Sequence, residues 1–194
     1  MKHIWVTALA LVALAATSMA QEQQPQAKWI AHQTMHTAYF SDAQSLLVQR
    51  KMARRHVLSQ DMNIVMGFQH QQVLLQTYGD ETESRLAQGS FLSLMFANGT
   101  EVISAWQHDH SKGRVQHHSL GQTVDLNGPI VWQFGISHAR MLDQQQSLDH
   151  WMMGFVWPGE LQAKLLLAHG DDVQHYHYQN DTRMTLGLEK VFGF

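Results

Sequence analysis

No cysteine occurs anywhere in the 194 residues. In an exported chain this excludes disulfide staples, so packing and hydrogen bonding alone must hold the fold. Strong charge of either sign is lacking too. Thirteen basic residues face sixteen acidic ones, a net charge of −3, which gives nucleic acid nothing to bind. Past the first twenty residues there is no long apolar segment, which excludes a helical membrane protein but not a closed barrel, whose strands are each only half apolar. Nucleotide-loop, EF-hand and HExxH patterns are absent.

The first apolar run has a different meaning. Lys2 and His3 open the chain, Ile4 to Ala16 is almost unbroken hydrocarbon, and Ser18-Met19-Ala20 supplies a small-x-small cleavage pattern. These are the parts of a secretory signal peptide, expected over 1–20, with a single domain over 21–194. The run is short for a membrane-spanning helix, and polar Gln21 to Gln26 follows without a basic stop-transfer cluster.

The end of the chain is the most informative stretch. Met184, Leu186, Leu188, Lys190, Phe192 and Phe194 share one face of a period-two pattern, while Arg183, Thr185, Gly187, Glu189, Val191 and Gly193 share the other. A strand of this kind, closed by a terminal aromatic residue, resembles the last strand of bacterial outer-membrane β-barrels. The resemblance implies a Gram-negative cell envelope, contact with outer-membrane lipid and lipopolysaccharide, and recognition of the last strand by the barrel-assembly machinery.

The same alternation recurs upstream in 130–136, 151–157 and 161–167, and helix-period templates fit these segments poorly. Val102 to His108 reads equally well on either face. Segment 41–60 is the least decided. A capping box at Ser41 and a stripe through Leu46, Leu47, Arg50, Ala53 and Val57 favour a helix, while the barrel reading needs a strand there. Arg50, Lys51, Arg54 and Arg55 then belong in the lumen or near a rim, since a cation facing mid-membrane costs about 2–4 kcal/mol. Short connections at 59–61, 97–100, 126–129 and 157–160 alternate with longer polar ones at 78–89, 108–113, 142–147 and 169–181. Short turns on the terminal side and long loops on the other is the outer-membrane pattern. The expected fold is therefore all-β, a closed antiparallel up-and-down transmembrane β-barrel of about ten strands, within a range of eight to twelve.

Histidine is unusually abundant, at 14 residues. His108 and His110 in one connection, and His175 and His177 in another, present the His-x-His spacing suited to Zn²⁺ or Cu²⁺. No spacing fills a whole coordination sphere, so the expectation is no cofactor, with Zn or Cu as the alternative. His117 and Ser119 share a strand face and resemble the His-x-Ser motif of two outer-membrane lipid hydrolases, the phospholipase and the lipid A 3-O-deacylase. That resemblance implies His117 as base and Ser119 as nucleophile, but Leu120 stands where those families favour Asn.

Three functions stay open at this point. The favoured one is a non-enzymatic outer-membrane barrel with a structural, adhesive or ligand-contacting role through its outer loops. The others are a barrel lipid hydrolase using His117 and Ser119, and a soluble periplasmic β protein binding metal or a small ligand through histidine.

Overall fold

The structure, a computed structural model, describes residues 28–77, 82–110, 113–159, 161–172 and 177–193. The expected signal peptide lies outside the described residues. Ten strands follow one another: β1 (Lys28–Tyr39), β2 (Ala43–Ser59), β3 (Met62–Thr77), β4 (Thr82–Phe96), β5 (Thr100–Asp109), β6 (Gly113–Asp125), β7 (Val131–Met141), β8 (Gln146–Trp157), β9 (Leu161–Asp172) and β10 (His177–Gly193). Each pairs antiparallel with its neighbours in the chain, and β1 pairs with β10 to close the barrel. Closure leaves no strand edge with unpaired backbone groups.

Period-two sequence becomes two faces of one wall. On β10, Met184, Leu186 and Leu188 are 45, 44 and 40 % exposed, while Arg183 and Thr185 between them are 4 and 6 % exposed. Large apolar side chains thus point outward and polar ones inward, the reverse of a water-soluble barrel. Segment 41–60 is strand: Ala43, Ser45, Leu47, Gln49 and Ala53 form one buried face at period two, which no helix could produce. Its basic run divides by parity. Lys51 lies opposite lumen-facing His32, whereas Arg50 and Arg54 are exposed on the outside.

The lumen is filled. Ile30, Ala53, Val65, Phe91 and Ala105 form one apolar layer, and Ala38, Phe40, Ala43 and Leu75 another. Val115, Ala139, Met141 and Leu148 form a third. Among them sits a charged network in which Lys164 Nζ and His32 Nδ1 both meet the Glu189 carboxylate, the latter at 3.2 Å. Glu101 accepts a 2.6 Å bond from Ser93 Oγ, and Lys51 Nζ stands 5.3 Å from the Phe91 ring centroid. The interior is therefore part ionic and part hydrocarbon, less uniformly polar than the alternation alone suggests.

The start of β1, the end of β10 and the connections after β2, β4, β6 and β8 lie at one end, here the base; the other end is the rim. At the base, Gly99 adopts φ 84° in the Ala97–Gly99 turn, a region costly for other residues. The long rim loops expected from sequence are not found. β3 runs to Thr77 and β4 starts at Thr82; β9 runs to Asp172 and β10 starts at His177. About 9–11 tilted residues cross a bilayer's hydrocarbon, whereas β2, β3 and β4 have 17, 16 and 15. Their polar ends stay in the ladder because strand pairing satisfies the backbone whether or not the side chains are apolar. Two latches tighten the rim. Ser41 donates from N and Oγ to Asp181, at 3.0 and 2.6 Å. Arg114 grips Asp143 through its backbone N–H and guanidinium, at 2.7 and 2.8 Å, which holds the Asp143 carboxyl below the usual carboxylate range.

Candidate functional site

The outer wall has two unlike halves. Away from the rim, over β7 to β10, it is a sheet of large apolar groups, including Trp132, Phe134, Ile136, Trp151, Phe155, Leu167, Leu186 and Leu188. Across β1 to β5 a polar row interrupts it. Gln33, Arg50, His70, Gln88 and His108 are direct cross-strand partners in turn, and all are exposed. They border a shallow groove of about 900 Å³ whose other lining includes Met52, Phe68 and Trp106.

Where β5 to β8 meet, a second outward row holds the groups with chemical capacity. Ser104 is the direct partner of His118, His118 of His138, and His138 of Asp149. Ser104 Oγ lies 2.8 Å from His118 Nδ1, and His138 Nδ1 lies 2.6 Å from Asp149 Oδ1. Their outward direction follows from parity. Trp106, Leu120, Ile136 and Trp151, two residues along on each strand, are all exposed on the same side. Just toward the base, Leu120, Phe134, Ile136, Trp151 and Met153 line an apolar groove of about 490 Å³. One step toward the rim are Gln116 and Arg140, again direct partners.

The residues singled out from sequence are placed differently. His117 and Ser119 face the lumen, His117 between Ala105 and Ala139, Ser119 between Ile103 and Ser137, and no hydrogen bond joins the two. Their neighbour His118 is the histidine that reaches a serine, and that serine is on another strand. His108 and His110 stand edge to face, with centroids 5.8 Å apart. His175 and the side chain of His177 lie outside the described residues. Three strands, β6 to β8, separate the β5 end from the β9 end around the rim. Among the described residues no group of three or more His, Asp or Glu side chains is arranged to hold a metal ion.

Ser104, His138 and Asp149 were missed as a unit because only register brings them together. A second Ser–His contact, Ser137 Oγ to His150 Nδ1 at 2.6 Å, faces the filled lumen. It lies beside the Val115, Ala139, Met141 and Leu148 layer and has no route to a large ligand.

No protein-family model matches the chain, and no curated protein matches it. Some solved structures are distantly similar. The translocator domain of the autotransporter NalP from Neisseria meningitidis is 8 % identical, with 99 % of this chain and 95 % of that one covered and a TM-score of 0.38. The β domain of the Bordetella autotransporter BrkA is 7 % identical, with coverages of 84 and 98 % and a TM-score of 0.43. Ail, the attachment invasion locus protein of Yersinia pestis, is 11 % identical, with coverages of 89 and 100 % and a TM-score of 0.27. These are bacterial outer-membrane β-barrels, and at such identities the likeness is one of architecture.

Proposed function

We propose that this chain is an integral outer-membrane barrel that works through its outer wall and rim, in contact with membrane lipid, and not as a pore. The observation that carries the reading is the inside-out distribution of side chains. A belt of exposed Trp, Phe, Leu, Ile and Met encircles an interior occupied by the Glu189 network and buried apolar layers. In water such a belt would be an aggregation surface; in hydrocarbon it is solvated. The filled interior argues against free diffusion of solutes, because a barrel of this size has no lumen beyond what side chains occupy. Short rim connections argue against an adhesive role built on large loops, though a structural role remains the second reading. Lipopolysaccharide and lipid at the wall, and the assembly machinery at β10, are the partners this reading requires.

Cell fractionation with gel mobility before and after boiling tests it. The full-length protein is expected in the urea-washed outer-membrane fraction, migrating differently folded and boiled, and reconstituted protein is expected to give no steady conductance in a planar bilayer. Release by osmotic shock as a water-soluble protein would contradict the reading, as would stable open channels.

A further inference from the structure

We propose that Ser104 and His118 form an acyl-transfer centre on the outer wall, which hydrolyses the ester-linked acyl chain of a phosphate-bearing membrane lipid. The inference rests on the reading that this wall meets lipid. Three features converge on it. A hydroxyl and an imidazole nitrogen sit at 2.8 Å, the reach that general-base activation of a serine requires. An apolar groove lined by Leu120, Phe134, Ile136 and Trp151 begins at the next outward position along the same strands, toward the membrane interior. Arg140, exposed and without an ion-pair partner among the described residues, stands at the next outward position after His138 on the opposite side, toward the rim. A lipid lying along the wall would thus meet hydrocarbon, nucleophile and cation in the order in which it carries acyl chain, ester and phosphate. Arginine suits the last of these because its planar fork matches phosphate oxygens.

The step balances with water as co-reactant. Ser104 Oγ bonds to the ester carbonyl carbon while its proton passes to His118 Nδ1. The carbon–oxygen ester bond then breaks, and the departing alcohol takes that proton. Water next adds to the acyl-serine and gives a proton to His118. The Ser104–acyl bond breaks, the fatty acid leaves, and Oγ recovers its hydrogen. His138 and Asp149 are positioning residues. Their 2.6 Å contact fixes the His138 tautomer, and His138, the direct cross-strand partner of His118, flanks the ring that takes the proton. Ser104 is only 6 % exposed, so larger neighbours must part around a substrate, as suits a nucleophile meant for a lipid and not for a solute.

Full-length protein is reconstituted into phosphatidylglycerol vesicles in one arm and lipid A-containing vesicles in the other, and released fatty acid is read by mass spectrometry. A fluorophosphonate probe, followed by peptide mapping, reports nucleophile activation whichever lipid is chosen. Release in at least one arm is expected, falling about 100-fold or more in Ser104→Ala and His118→Ala, together with a probe adduct on Ser104. The productive arm tells phospholipid from lipid A. Ser119→Ala and Ser137→Ala should match the unsubstituted protein. Asp149→Asn should displace the acid limb of the pH–rate profile, a change that a merely structural role would not produce. Heat-modifiable mobility on the same samples reports insertion. Inserted protein that releases no fatty acid and takes no adduct at Ser104 overturns the site, as does release that survives Ser104→Ala. Failure to insert overturns the membrane reading, and the site with it.

Discussion

Replacing Glu189 by alanine should lower the unfolding free energy of the folded barrel by about 3 kcal/mol. Glu189 is the acceptor on which Lys164 and His32 converge, and both Lys164 and Glu189 keep only 15 % side-chain exposure. Removing the carboxylate leaves an ammonium in a space already crowded by Lys51 and closed by apolar layers. Water cannot replace the lost partner freely, so most of the desolvation cost is felt. Glu189→Gln should cost less, since the amide oxygen still accepts from Lys164 and the amide N–H can donate to a neutral His32. The double variant Glu189→Ala with Lys164→Met should recover part of the loss, because the stranded charge goes too. Urea titration in detergent, followed by tryptophan fluorescence, measures all three. A Glu189→Ala barrel as stable as the unsubstituted one would show that the network is not enclosed.

Leu186→Arg should cost about 2–4 kcal/mol in a bilayer. Leu186 is 44 % exposed on the outer wall, with Thr37 and Leu165 as cross-strand partners and Met184 and Leu188 on its own face, so a guanidinium there has no polar neighbour beyond one hydroxyl. The contrast is with Gln88→Arg on the other half of the wall, where His70 and His108 are the partners and Arg50 follows in the same row. That half already accommodates outward cations, and the cost there should stay below about 1 kcal/mol. Refolding into lipid vesicles under urea gives both values. Equal costs at the two positions would remove the two-faced description of the wall, on which the Ser104 proposal also leans.

The architecture was largely legible in the sequence because a barrel is an alternation problem. Residues 183–193, 151–157 and 130–136 carry their period openly, and the base turns carry Asn-Gly and Pro-Gly signals. Segment 41–60 was obscured because Arg50, Lys51, Arg54 and Arg55 occupy both parities, and only pairing to β1 and β3 shows which two face inward. The rim was misjudged at Thr82 to Gln88 and at His177 to Asp181. Polar composition reads as loop in a sequence, yet it costs a strand nothing once the strand has left hydrocarbon. The candidate site was the least legible. His117 and Ser119 share a face but not a contact, while Ser104 and His118 are separated by a turn and meet through register alone.

The account turns on which side of the curled sheet faces hydrocarbon. The chain has no cysteine, so single-cysteine variants at Leu186, Ile136 and Phe155, and at Thr185 and Ser137, each carry one nitroxide label without competition. In lipid vesicles the first three should be relaxed strongly by oxygen and weakly by a water-soluble nickel chelate. The last two should be immobilised and shielded from both. Labels at Leu186, Ile136 and Phe155 that respond to the nickel chelate over oxygen would place the apolar face in water or against protein, and would contradict the membrane-spanning barrel itself.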